Sequence, residues 1–173
     1  MRALASFAIV VSILGLACSG KDRYRPGDSL GTFRVDGKLT ANTCSKGGDV
    51  PDPWSFQVDL GRDPGVLYWI QGGAPVSGRL DATGHATMSV AGTTEVRAAT
   101  TKFAGCTLSR TDAFDGTMPA TGEVTEFSGT LSYSYAVADG DCQDQIADNG
   151  GGFDNLPCTI SYDVKGTRIV VPK

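Results

Sequence analysis

Histidine is nearly missing from this 173-residue chain, and His85 is the one example. A serine or cysteine hydrolase needs a base beside its nucleophile, usually a histidine held by a third group. Zinc sites usually take several His or Cys ligands. A single histidine that follows Gly84, past a turn signal, reads instead as a solvent-facing residue at the start of a strand. Also missing are GxSxG, CxxC, HExxH and any glycine-rich phosphate loop. Basic residues are outnumbered, 15 Lys and Arg against 19 Asp and Glu, for a net charge of −4. With no basic patch, nucleic acid is not an expected partner. Past residue 17 no apolar run approaches the roughly 20 residues of a membrane-spanning helix. Sustained helical periodicity and fixed-period repeats are absent too. The expectation is a chain that is not an enzyme and carries no resident cofactor.

The most informative feature present is the N-terminus. Residues 1–17 read MRALASFAIVVSILGLA, with Arg2 before an uncharged run. The run is too short to cross a hydrocarbon core of ~30 Å, but it has the length and flanks of a secretory signal. The abrupt change to SGKDRYRPGDS argues against a buried helix, which would carry a polar face. Leu14-Gly15-Leu16-Ala17-Cys18 resembles the lipobox of bacterial lipoproteins. Gly15 stands where that pattern prefers Leu, and Leu16 where it prefers a small residue. Gly15 and Ala17 would also suit ordinary signal peptidase, so simple secretion is the alternative. The resemblance implies cleavage before Cys18, a diacylglyceryl group on its thiol and acylation of the new N-terminus. Two or three chains would hold the protein to a membrane where one would not. Ser19 in place of Asp implies, by the same resemblance, the outer membrane of a Gram-negative envelope.

Cysteine parity points the same way. The chain holds five cysteines. If Cys18 takes the lipid, Cys44, Cys106, Cys142 and Cys158 remain, enough for two disulfides in an oxidising compartment. Cys142 and Cys158 flank one polar loop, which favours pairing them and leaves Cys44 with Cys106. Residues 18–30 read as the lipidated Cys and a polar, Gly- and Pro-containing tether. Residues 31–173 read as a single domain, large enough to bury a real core.

Within that domain, alternation dominates. Phe33, Val35, Leu39 and Ala41 share one face of 31–41, opposite Thr32, Arg34, Asp36, Lys38 and Thr40. Trp54, Phe56, Val58 and Leu60 do the same, as do Phe127, Leu131, Tyr133, Tyr135 and Val137, and finally Ile160, Tyr162 and Val164. Period-two patterning with one wet face is the signature of antiparallel sheet. Turn signals at Arg62–Gly65, Asp81–Gly84, Ala91-Gly92 and Lys165-Gly166 divide the chain into about 8–10 short strands. These are 31–41, 54–60, 65–71, 77–82, 85–90, 94–100, 104–111, 115–118, 126–137 and 158–165. Sequential hairpins predict an all-β fold, an antiparallel up-and-down barrel or barrel-like sheet. A two-sheet β-sandwich is the alternative.

Four groups carry candidate chemistry. The loop 139–154, DGDCQDQIADNGGGFD, holds five Asp and no basic residue. Calcium favours such clustered oxygens, which makes Asp139, Asp141, Asp144 and Asp148 the candidate ligands, although the EF-hand pattern fails. The simpler reading is a solvated surface loop. Glu123 and Glu126 are the carboxylates that an enzyme acting on polysaccharide would need. Val66–Ile70 is apolar on both faces, so it is either covered twice or presents Leu67 and Trp69 to a partner. In a barrel, Trp69, Tyr133, Tyr135 and Tyr162 would line a cavity of mixed character, with Gly129 leaving room. The chain as a whole resembles the small, uncharacterised β-rich lipoproteins of Gram-negative envelopes, a likeness that carries no activity. The expected role is non-enzymatic binding or structure at the envelope, with a small apolar ligand or an envelope protein as partner. An enzyme, or an inhibitor of one, acting at the cell-wall polysaccharide is the second reading.

Overall fold

The computed structural model describes residues 22–45 and 50–170. The expected signal segment and Cys18 lie outside the described residues. Eight strands follow one another along the chain: β1 (Asp28–Asn42), β2 (Trp54–Asp63), β3 (Val66–Ile70), β4 (Val76–Leu80), β5 (His85–Arg97), β6 (Cys106–Thr117), β7 (Glu126–Gly140) and β8 (Cys158–Arg168). Each pairs antiparallel with the next, and β8 pairs with β1 to close the barrel. Closure removes the two-sheet alternative.

Two expectations about boundaries change. β1 begins at Asp28, so Asp28–Leu30 belong to the barrel rather than to the tether, and Leu30 is buried. Ala91-Gly92 is not a turn, and neither is Lys165-Gly166, since β8 runs on to Arg168 with Gly166 opposite both Val35 and Phe127. β5 stays in one register with β6 from His85↔Thr117 to Glu95↔Thr107, and Gly92 sits opposite Arg110. The segments 85–90 and 94–100 therefore fuse, as do 104–111 and 115–118. A glycine flanked by strand formers on both sides keeps its backbone hydrogen bonds by continuing the ladder, and nothing there forces a reversal.

Alternation does what period two requires. Phe33 and Val35 from β1, Val58 and Leu60 from β2, Leu67 from β3 and Ala86 from β5 are almost completely buried inside. Phe33, Trp69 and Phe114 each place a ring centroid within 6 Å of that of Phe127. Inward-facing glycines make space for these rings. A Cβ on Gly166 would stand 2.0 Å from the Phe127 ring, and one on Gly116 would stand 2.5 Å from the Phe114 ring. Gly129 was expected to leave room beside the tyrosines. The Phe114 ring and the Gly116 backbone take that room instead, at 2.9 and 2.6 Å from where its Cβ would be.

The barrel has one closed end. There the β6–β7 connection folds across the opening, burying Met118 and Val124. Met118 N–H donates to the Gly84 carbonyl at 2.9 Å, and Arg62 donates to the carbonyls of Pro119 and Gly122 at 3.1 and 3.0 Å. At the same end Asp81 Oδ1 accepts from Thr83 N–H at 2.8 Å, from the Thr83 hydroxyl at 2.6 Å and from His85 N–H at 3.0 Å. These donors, the Thr83 hydroxyl first, hold its carboxyl below the ordinary value of 3.8. His85 opens β5 on the exposed outer surface, as expected, with Nε2 3.0 Å from Asp115.

Both disulfides sit at the other end, and their pairing differs from expectation. Cys44 is bonded to Cys158, and Cys106 to Cys142. The register explains both. Asn42 lies opposite Ile160 across the β1–β8 seam, and Cys44, two residues after Asn42, meets Cys158, two residues before Ile160. Cys106 lies opposite Gly140, and Cys142 follows two residues later. Closure brings the first and last strands together, which outweighs nearness along the chain.

Candidate binding site at the open end

The open end is built by unequal strand lengths. β3 and β4 have 5 residues each, whereas β5, β6 and β7 have 13, 12 and 15. The wall is low on the β3–β4 side and high opposite. β4 is bonded to β5 only as far as Gly78↔Met88. Above that point the interior is reached through a side opening. A cavity of about 200 Å³ lies there, lined by Trp69, Val76, Met88, Val90, Asp112 and Tyr133. A second cavity of about 290 Å³ lies beside it, lined by Val50, Trp54, Arg110, Tyr133, Tyr135 and Tyr162. Tyr133 belongs to both.

Aromatic rings form the walls. Trp54 stands 5.9 Å from Tyr133 and 5.2 Å from Tyr162, centroid to centroid, and the two tyrosines are 6.5 Å apart. Tyr135 stands higher, 5.3 Å from Phe153 of the β7–β8 connection. Of the four aromatic residues expected to line a cavity, Tyr133, Tyr135 and Tyr162 share the second one. Trp69 forms a wall of the first.

A charged pair enters the same space. Arg110 and Asp112 occupy the inward register of β6, opposite Tyr135 and Tyr133. Arg110 donates twice to Asp112, Nε to Oδ1 at 2.6 Å and Nη2 to Oδ2 at 2.9 Å. Its guanidinium lies 4.7 Å from the Tyr133 ring centroid and 5.8 Å from that of Tyr135. A fork of this kind matches donors to acceptors, and the rings attract the cation through their faces. Burial, and after it the Asp112 charge, holds the Tyr133 hydroxyl well above the usual tyrosine range. Burial and then Asp52 push Tyr162 upward in the same direction. Both phenols are therefore neutral O–H groups near neutral pH.

Sequence reasoning missed Arg110, Asp112 and the role of Trp54. A signal existed. Leu108, Arg110, Asp112 and Phe114 share one parity, so two charged residues stand in an inward-facing row. Splitting β6 at residue 111 broke that row.

Other expected groups are placed elsewhere. Asp144 forms an ion pair with Arg97 at 2.5 Å. Asp141 Oδ1 accepts from Gln143 N–H at 3.0 Å, and Asp139 and Asp148 are exposed. The four aspartates do not converge: among the described residues no three His, Cys, Asp or Glu side chains are grouped to hold one ion. The loop's own short turns point its carboxylates in separate directions, and Arg97 claims one of them. Glu123 pairs with Arg168 at 2.8 Å and Glu126 with Lys165 at 3.0 Å, so each faces a cation rather than the other. Leu67 and Trp69 face inward and are buried, so they form no partner patch. The outward side of β3 is half-buried, and there the Tyr68 hydroxyl donates to Asp63 at 3.2 Å. Comparison with protein families, with curated proteins and with solved structures yields no match. The site is therefore read from its own geometry.

Proposed function

We propose that this protein is a membrane-tethered binding module whose open end receives a small ligand with an apolar body. One observation carries the reading: an aromatic-walled space at one end of a barrel whose other end is packed shut. Small-molecule sites combine apolar walls with a few fixed polar groups, in pockets of about 300 Å³ and more. The cavities at this end, about 200 and 290 Å³, each fall short of that range, but they adjoin at Tyr133 and together suit a ligand at its small end. Arg110, Asp112 and the phenol groups are the polar set. No reacting group is assigned, and the role is non-enzymatic.

The tether fits this arrangement. β1 starts at the closed end, so a lipid on Cys18 would attach ten residues before Asp28. β7 has 15 residues. At about 3.3 Å per residue and a barrel tilt near 40°, the open end would stand about 35–40 Å from the closed one. The site would then face away from the membrane, which Ser19 suggests is the outer one.

Two experiments test the halves of the proposal. Metabolic labelling with palmitate is expected to mark the wild-type chain and not Cys18→Ala. A labelled Cys18→Ala variant removes the anchor. For the site, a small-molecule screen by thermal shift is expected to give hits that raise Tm in the wild type. Tyr133→Ala, which opens the wall shared by both cavities, is expected to weaken those hits by tenfold or more. Hits indifferent to Tyr133 would place binding elsewhere.

A further inference from the structure

The barrel wall is incomplete on one side, and we infer that an extended segment of another protein completes it, pairing antiparallel with the uncovered edge of β5. That segment would carry an aromatic residue opposite Gly92 and, three residues nearer its N-terminus, a basic residue opposite Glu95. The inference goes beyond the small-ligand reading and does not rest on it, because it depends on the backbone of β5 rather than on the tyrosine wall.

β4 accompanies β5 only from Leu80↔Ala86 to Gly78↔Met88, whereas β6 accompanies it from His85 to Arg97. Among the described residues, no strand therefore lies along the other edge of Ser89–Val96, and every residue of that stretch is exposed. Such an edge presents N–H and C=O groups that template pairing with a further strand. Edges are usually blunted by Lys, by Pro, by a bulge or by short length. Ser89–Val96 reads SVAGTTEV, without Lys or Pro, and its bulge comes only at the top, between Glu95 and Arg97. Val90 and Val96 leave 44% and 41% of their surface exposed there.

The two faces of the edge specify what the added strand carries. Ala86 and Met88 are buried inside, so Val90, Gly92 and Thr94 share their side. Met88 and Val90 line the first cavity at its side opening, beside Gln71 and Ala74 of the β3–β4 connection. A Cβ on Gly92 would meet nothing within 4 Å. An aromatic ring opposite an edge glycine fills space of this kind, and here it would also roof the cavity. On the outer face, Glu95 forms no ion pair among the described residues. The cations of its hairpin are Arg97 and Arg110, paired with Asp144 and Asp112, and Lys102 in the connection above the edge. A basic side chain directly across from Glu95 would be attracted to it. A second copy of this chain fits less well. Two β5 edges paired antiparallel are related by a twofold axis perpendicular to the sheet, which inverts one barrel. Copies tethered to one membrane through their closed ends could not meet in that way.

The probe is the peptide TKVTFTVT, whose Lys and Phe fall opposite Glu95 and Gly92 when it runs antiparallel to β5. It is added to the full chain, and binding is read from the backbone amide shifts of Ser89–Val96. Glu in place of the peptide's Lys is expected to weaken binding about fivefold, and Glu95→Lys is expected to reverse that preference. Two further peptides are N-methylated on alternate residues. One set blocks the amides that face β5 and is expected to lose binding tenfold or more, whereas the other leaves them intact and keeps it. Equal effects of the two N-methyl sets, an unreversed charge preference, or no shift along Ser89–Val96 overturns the inference. Dimerisation without peptide, with the same amides shifting on dilution, assigns the edge to a second copy and overturns it too. The small-ligand site survives each of these results, since its own test reads Tyr133→Ala.

Discussion

Replacing Cys44 and Cys158 together with serine is expected to lower stability by about 3–5 kcal/mol, measured by urea unfolding without reductant. The two residues are 114 positions apart, whereas Cys106 and Cys142 are separated by 36. In the chain-entropy account the constraint on the unfolded state grows with loop length, giving about 5 and about 4 kcal/mol respectively. Position reinforces the difference. Cys44–Cys158 lies at the end of the β1–β8 seam, the single pairing that turns a meander into a closed barrel. Without it the ladder must be closed by backbone hydrogen bonds between the two ends of the chain. Set against the 5–15 kcal/mol typical of a whole domain, the loss is large. A seam variant as stable as the wild type would show that packing alone determines closure. The Cys106→Ser/Cys142→Ser variant, tying a shorter loop, is expected to lose less.

Phe127→Ala is expected to cost about 3–5 kcal/mol, the usual range for deleting a buried aromatic ring. Phe127 sits where Phe33, Trp69 and Phe114 converge, and its ring lies over Gly166. The same contact makes a sharper double-mutant test. Gly166→Ala alone drives a methyl into the ring and is expected to cost about 1–3 kcal/mol by overpacking. In a Phe127→Ala background that clash has no partner, so the added cost should nearly vanish. Chemical denaturation of the four variants gives the coupling directly. Additive effects would mean that the Gly166 backbone, and not the ring above it, limits what fits.

The same contacts explain what the open end is made of. Large rings fill the lower barrel because glycines on the same or the neighbouring strand yield their space. Higher up, Trp54 and Tyr133 are only half-buried, because β3 and β4 stop after five residues. The missing height of those two strands makes the side opening, and the disulfides pin the rim around it.

Much of this was legible along the chain. Alternation at 31–41, 54–60 and 126–137 identified the buried face through most of each strand, because period two follows from strand geometry; it failed at the upper ends of β1 and β7, where Ala41 and Val137 are exposed beside register shifts. It also put Tyr133, Tyr135 and Tyr162 on one interior wall. The turn at Asp81–Gly84 was readable because its capping bonds are local. Other features depend on residues distant in sequence. Arg110 and Asp112 have no assigned side until β6 is known to be one unbroken strand. Gly129 read as free space until Phe114 occupied it. The acidic loop read as a possible ion site until Arg97, more than forty residues away, paired with Asp144.

By itself the sequence determined the β class, the sidedness of its strands, and an even set of four cysteines once Cys18 is set apart. These are consequences of local geometry and of parity. Only the tertiary structure decided which cysteines meet, which end is shut, and where an aromatic space is left open. Each of those depends on the closure of β8 onto β1 and on the relative heights of neighbouring strands. Both are properties of the register between segments, and no single segment carries them.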